Sequence, residues 1–215
     1  MNVRTRIKIC GVRRESEVDA AVEAGADAIG LVFYGPSPRH LSVARAAALA
    51  RGLPPFVTPV GLFVNAEAAD VEAAVASIAG LMLQFHGDET PGYCTRFARP
   101  YLKAVRMVPG VDLLDSSRRF ASAQALLLDA PVEAYGGGGK VFDWSLVPAS
   151  VARPVVLCGG LHAGNVIAGI QQVRPWAVDV SSGVESTRGV KDADLIRRFC
   201  EAVREADARR AAAEA

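Results

Sequence analysis

Disulfide chemistry has little to work with in this chain. Cys10, Cys94, Cys158 and Cys200 are the four cysteines in 215 residues, far apart and with no CxxC or metal-ligand spacing, so neither a disulfide scaffold nor a zinc module is encoded. They read as reduced thiols of a cytoplasmic protein. An excess of one charge is missing too. Lys and Arg number 24 against 23 Asp and Glu, a formal net charge of +1, so no global field favours nucleic acid or an anionic membrane, and an anionic ligand must be held locally. No run of about 18 apolar residues argues for a membrane span. The segment MNVRTRIKIC lacks an apolar core of signal-peptide length, and the expectation is a protein that is not exported. No Pro/Ser/Gly-rich linker interrupts the chain, and with 51% hydrophobic residues it is expected to bury one core, as a single domain over residues 1–215.

What is present is an alternation that does not break. A β-rich run at Thr5–Cys10 precedes a helical pattern at Arg14–Ala24, which Gly25 stops. Strand Ala28–Phe33 follows, then the loop YGPSPRHL and a helix at Val43–Arg51 with Ser42 as N-cap. Val57–Val64 leads to helix Ala66–Ser77, and Leu81–Phe85 to a helix opened by Thr90-Pro91. Tyr101–Val105 pairs with helix Val111–Phe120, and Ala125–Asp129 with a short helix near Ser145–Ser150. Val155–Cys158 with Ala163–Val173, and Ala177–Val180 with Asp192–Ala206, bring the count to eight.

Eight βα units in just over 200 residues predict a (β/α)8 barrel of the TIM type. The rival, an open doubly wound sheet, usually carries GxGxxG after its first strand, and KICGVRRE has none. A nucleotide P-loop is excluded at GGGGKVF, because Ala134 stands five residues before Gly139 and Val141 follows Lys140. In a barrel the chemistry sits at the C-terminal strand ends, here Cys10, Phe33, Val64, His86, Arg106, Asp129, Cys158 and Ser181.

Several of these ends carry groups with chemistry to offer. The stretch ALLLDAPVEAYGGGGKVFDW, Ala125–Trp144, runs from a buried strand into a carboxylate, Asp129, and on into a glycine-rich loop expected to close over a ligand. Alternation puts Lys8 and Cys10 on one face of the first strand and Ile7 and Ile9 on the other, so Lys8 and Cys10 are expected to point into the barrel. A nearby ammonium favours thiolate, the form a cysteine base requires. Strand eight adjoins strand one in a closed barrel, and Asp179 is expected to pair with Lys8. Gln84 and His86 share a face and are candidates to line the pocket, although a structural histidine fits the same position. Arg39 is a candidate for a bidentate contact with a carboxylate, although a solvated loop arginine fits the same position. Gly159 and Gly160 after strand seven, and Ser181, Ser182 and Gly183 after strand eight, offer backbone N–H groups where barrels commonly bind phosphate.

The blocks KICG, SPRH, LQFHGDE, LLLDA, GGGGKVFDW, CGGL and DVSSGVE follow in an order that resembles the phosphoribosylanthranilate isomerase family over nearly the whole chain. The chain departs from the family pattern at Gly138, Val141 and Ala163. The resemblance implies an Amadori rearrangement of N-(5-phosphoribosyl)anthranilate in tryptophan biosynthesis, with Cys10 as general base and Asp129 as general acid. It further implies Arg39 on the anthranilate carboxylate, a substrate region of Gln84 and His86, and a phosphate side of Gly159, Gly160, Asp179, Ser181, Ser182 and Gly183. No metal or organic cofactor is expected, since a protonated imine is its own electron sink. The partner is expected to be a small phosphorylated substrate, and the protein a monomer or homodimer. Two alternatives carry the same fold: the histidine-pathway isomerase, which pairs two aspartates, and a lapsed barrel that only binds a phosphorylated ligand.

Overall fold

The computed structural model describes residues 4–130, 141–148 and 150–214. Eight parallel strands close a barrel in sequence order: β1 Arg6–Cys10, β2 Ala28–Val32, β3 Thr58–Phe63, β4 Met82–Phe85, β5 Tyr101–Arg106, β6 Ala125–Asp129, β7 Val155–Leu157 and β8 Ala177–Val180. The seam is β1 against β8, with Lys8 opposite Asp179.

The helices are α1 Glu15–Glu23, α2 Val43–Arg51, α3 Ala68–Ser77, α4 Pro91–Thr95, α5 Leu113–Arg119, α6 Val166–Val173 and α7 Ala193–Ala213. Their starts follow from local chemistry: Ser42, Thr90, Asp112 and Asp192 each accept a backbone N–H of the first turn. Two helices depart from expectation. Helix α7 runs to Ala213, past the last inward residue Ala206, because ion pairs Arg209–Glu205 and Arg210–Glu214 at i,i+4 support its exposed end. The helix expected near Ser145–Ser150 is instead a single 3₁₀ turn, Trp144–Leu146. Pro148 has no N–H to give and disfavours helical backbone at Val147. The glycine-rich segment from Glu133 to Lys140, with its expected closure, lies outside the described residues.

Strand alternation sorts the core into two layers. Ile7, Ile9, Leu31, Phe63, Leu83, Phe85, Leu126 and Leu128 face the helices, each worth roughly 1.5–3 kcal/mol in burial. Inside the barrel lies a smaller plug of Val60, Leu102, Ala125, Leu127, Val156, Cys158 and Ala177. The interior is therefore packed below the mouth, and polar groups enter it at Lys8, Gln84 and Asp179, all under a tenth exposed.

An antiparallel hairpin, β9 Glu185–Thr187 and β10 Val190–Lys191, follows β8 and turns at Gly189 with φ +84°. The sequence pattern did not announce it, since strands of three and two residues have no measurable periodicity. Its return strand is tied to the first turn of α1, where Glu17 Oε1 accepts Lys191 N–H at 3.1 Å.

Candidate active site

Cys10 ends β1 on the interior side. It lies in register with Gly30 of β2, and Gly30 with Val60 of β3, a residue of the interior plug. Gly30 is needed there: a Cβ at that position would lie 2.6 Å from Cys10 Sγ. Lys8 hydrogen-bonds the thiol, and the charges of Asp179 and Lys191 also act on it. Burial, the largest effect, and Asp179 push the Cys10 thiol up, and Lys8 and Lys191 pull it down without offsetting them, so the thiol lies above its ordinary value. Lys8 Nζ donates to Asp179 Oδ1 at 2.9 Å, the ion pair expected from the strand faces. That bond and the pair's charge, together with Cys10, hold the Lys8 ammonium charged against its burial.

Asp129 ends β6 on the same interior side, two residues beyond Leu127 of the plug. Its Oδ2 meets His86 Nε2 at 2.9 Å, and its Oδ1 accepts Ala130 N–H at 2.9 Å. Burial works against its charge, but His86, Cys158 and the Ala130 N–H together hold the carboxyl below the usual range. The Cys158 thiol is itself pushed far up by burial and by the charges of Asp129 and Asp179, so it serves as a donor. Behind His86, Gln84 Nε2 contacts Nδ1 at 2.9 Å. An amide N–H donating to Nδ1 leaves the imidazole proton on Nε2, facing Asp129. Gln84 Oε1 is buried with no partner among the described residues.

The strand end bearing His86 is fixed from behind. Lys103 Nζ donates to Gly87 O at 2.6 Å and to Glu89 Oε2 at 3.0 Å, while Glu89 accepts the N–H groups of Asn65 and Gly87. Both charges are buried, so each depends on the other. A cavity of about 410 Å³ opens beside the acid, between His86, Arg106, Asp129 and Phe120.

Arg39 comes to the opposite flank of Cys10. Its side chain lies on Gly11, whose φ of +82° and lack of a Cβ leave the space it fills. The guanidinium is already engaged: Nε and Nη2 each reach a Glu185 oxygen at 2.7 Å. Glu185 also accepts Lys191 Nζ at 2.7 Å. Against burial, these two cations hold the Glu185 carboxyl down at about 2. Sequence reasoning quoted Glu185 within DVSSGVE without giving it a role and passed over Lys191; the signal lay in two charges flanking a glycine turn.

The loops after β7 and β8 interlock. Gly159 adopts φ +79° and touches Ala130 and Asp129, and Gly160 adopts φ +64°. Gly183 packs against the Leu161 carbonyl so closely that a Cβ would overlap it. Ser181 Oγ donates to Cys10 O at 3.0 Å, joining this edge to β1. Asp179 is the exception among the residues expected on the phosphate side. It is already claimed by Lys8, and a carboxylate repels an anion. Among the described residues no three His, Cys, Asp or Glu side chains come together as metal ligands.

The model of the PRAI family, N-(5'-phosphoribosyl)anthranilate isomerase, matches residues 7–202. A relative of that name from Methylibium petroleiphilum is 71% identical over 212 residues, covering 99% of this chain and all of its own. The crystal structure of phosphoribosyl anthranilate isomerase from Thermotoga maritima is 39% identical and superposes with a TM-score of 0.87, over 94% of this chain and 99% of that one. A structure of the isomerase in complex with reduced 1-(o-carboxyphenylamino)-1-deoxyribulose 5-phosphate gives 36% identity and 0.83 over the same shares. The chain belongs to the N-(5'-phosphoribosyl)anthranilate isomerase family, isomerases of tryptophan biosynthesis.

Proposed function

We propose that in this chain Cys10 and Asp129 carry the family's Amadori rearrangement of N-(5-phosphoribosyl)anthranilate to 1-(2-carboxyphenylamino)-1-deoxyribulose 5-phosphate. The observation that supports it most is their placement. Both side chains sit on the interior face of barrel strands, β1 and β6, each flanked by groups that govern its proton. Asp129 delivers a proton to the furanose ring oxygen, the C1′–O bond breaks, and the anilinic nitrogen's lone pair forms the iminium. Cys10 thiolate then removes the C2′ proton, and the C–H electrons form the enolamine as the iminium is neutralised. Tautomerisation gives the aminoketose.

Asp129 rests as a carboxylate, so the proton it delivers belongs to the Asp129–His86 pair as a unit. When that pair gains a proton, His86 Nδ1 becomes a donor. A half-turn of the Gln84 amide then offers the buried Oε1 as its acceptor, which gives that atom a use. This reading makes Gln84 and His86 servants of the acid.

The phosphate is assigned to backbone N–H groups of Gly159, Gly160, Ser182 and Gly183, with Ser181 bracing them. The anthranilate carboxylate is assigned to the Arg39 N–H groups left over by Glu185. We place the reaction in the cytoplasm and in one barrel domain. No helix among the described residues is long and apolar enough to cross a membrane. The described site draws on one chain, so a monomer or a homodimer would serve. The deciding assay follows anthranilate-ring fluorescence after purified protein meets freshly made phosphoribosylanthranilate, with and without a chelator. Rearrangement in both samples is expected, and a signal that decays no faster than without protein overturns the reading.

A further inference from the structure

The charges around Cys10 do not balance. Lys8 is neutralised by Asp179 at 2.9 Å, so its field reaches the thiol only in part. On the other flank Glu185 is shared by two cations, Arg39 and Lys191, at 2.7 Å each. That cluster keeps one positive charge over, and its side chains are at most 7% exposed. The Lys191 side chain is wholly buried, at a cost in desolvation that the hairpin alone does not require. Its Nζ donates to Ser181 O at 3.0 Å and Ser181 Oγ at 3.2 Å, and Ser181 Oγ donates in turn to Cys10 O. The ammonium thus stands two hydrogen bonds from the backbone carbonyl of the residue that carries the base.

We propose that Lys191 is a positioning residue for catalysis, supplying through the Arg39–Glu185–Lys191 cluster surplus positive charge that draws the buried Cys10 thiol towards its thiolate. A surplus is required because the substrate brings a phosphate and a carboxylate to the same mouth, and both anions disfavour a second negative charge. Lys8 bonds the thiol and is the nearer cation, but its charge is shared with Asp179, which is negative; Asp129, ending β6, and Cys158, just after β7, add no cation. Lys191 acts on the thiol in the direction proposed.

The inference rests on Cys10 being the base, and its test is independent of turnover. Thiolate absorbance in the far ultraviolet, taken as the difference from Cys10→Ser, gives the titration of this one thiol in the substrate-free protein. Lys191→Met is expected to move that titration up by about one pH unit or more, a tenfold loss of thiolate at neutral pH. The low-pH limb of kcat should move with it while KM changes little. Lys191→Arg should restore both. If Lys191→Met does not fold, Glu185→Gln decides, because removing the anion from the cluster is expected to shift the thiol titration down. An unmoved titration in Lys191→Met, or an upward one in Glu185→Gln, overturns the proposal. Full turnover in Cys10→Ser would instead overturn the assignment of the base.

Discussion

Lys8 Nζ lies 2.9 Å from Asp179 Oδ1 inside the barrel, across the β1–β8 seam that closes it. Two opposite charges in a packed interior are stable only together. Lys8→Met should strand the Asp179 carboxylate and cost roughly 3–5 kcal/mol of folding stability, read as a shift in the denaturant midpoint. A loss below about 1 kcal/mol would mean that water reaches the pair.

Cys10→Ser and Asp129→Asn test the chemistry with little change of volume. Each should lower kcat by about 10²–10⁴-fold while leaving the unfolding transition almost in place. The alcohol is too weak an acid to become the base, and the amide has no proton to hand to the ring oxygen. Near-normal kcat in either variant would remove that residue from the mechanism.

Gly30 is a subtler handle on the same base. A methyl group there would crowd Cys10 Sγ from 2.6 Å, so Gly30→Ala should displace the thiol at a folding cost of about 1–3 kcal/mol. The kinetic signature is a drop in kcat with KM nearly retained. An unaltered kcat would place Sγ on a different path from the one drawn here.

For the phosphate edge, Gly160→Asp and Ser182→Asp add bulk and a like charge where the backbone N–H groups are assigned to the anion. KM should rise in both. If neither variant changes KM, the phosphate binds elsewhere.

Acid should weaken the Arg39–Glu185–Lys191 cluster in a defined window. The Glu185 carboxyl, ordinarily at 4.5, is held down at about 2 in the folded chain. Its depressed value favours the folded state wherever the unfolded carboxyl is ionised, and that contribution is lost as pH falls from 4.5 towards 2. Stability against pH in that interval should therefore fall more steeply for the native chain than for Glu185→Gln. Parallel curves would contradict the pairing.

The barrel was legible because short β-rich runs alternate with helical patterns eight times, and an alternation of 2 places Lys8 and Cys10 inward from the sequence alone. Asp129 was legible for the same reason, as a charge ending a buried run. What escaped was whatever depends on contact across long sequence separation. Glu185 and Lys191 occupy strands too short for any pattern, and their meaning comes from Arg39, over 140 positions away. The Lys103–Glu89 brace behind His86 likewise joins a strand interior to a loop, and nothing local in either segment marks the pair. Helix α7 overran its expected end because exposed i,i+4 pairs, unlike buried residues, leave no apolar stripe.

Gly183 seated on the Leu161 carbonyl carries a consequence for how such a site can change over evolutionary time. The loops after β7 and β8 occupy one shared volume, so neither drifts alone. A side chain acquired at position 183 requires the backbone at 161 to retreat, and that retreat moves Gly160 and, through Gly159, the shoulder of Asp129. Substitutions on the two loops should therefore show strong epistasis, each harmful alone and tolerable only with its counterpart. New ligand preferences at this mouth would be reached more readily through the loop after β2, which does not press on the acid in this way.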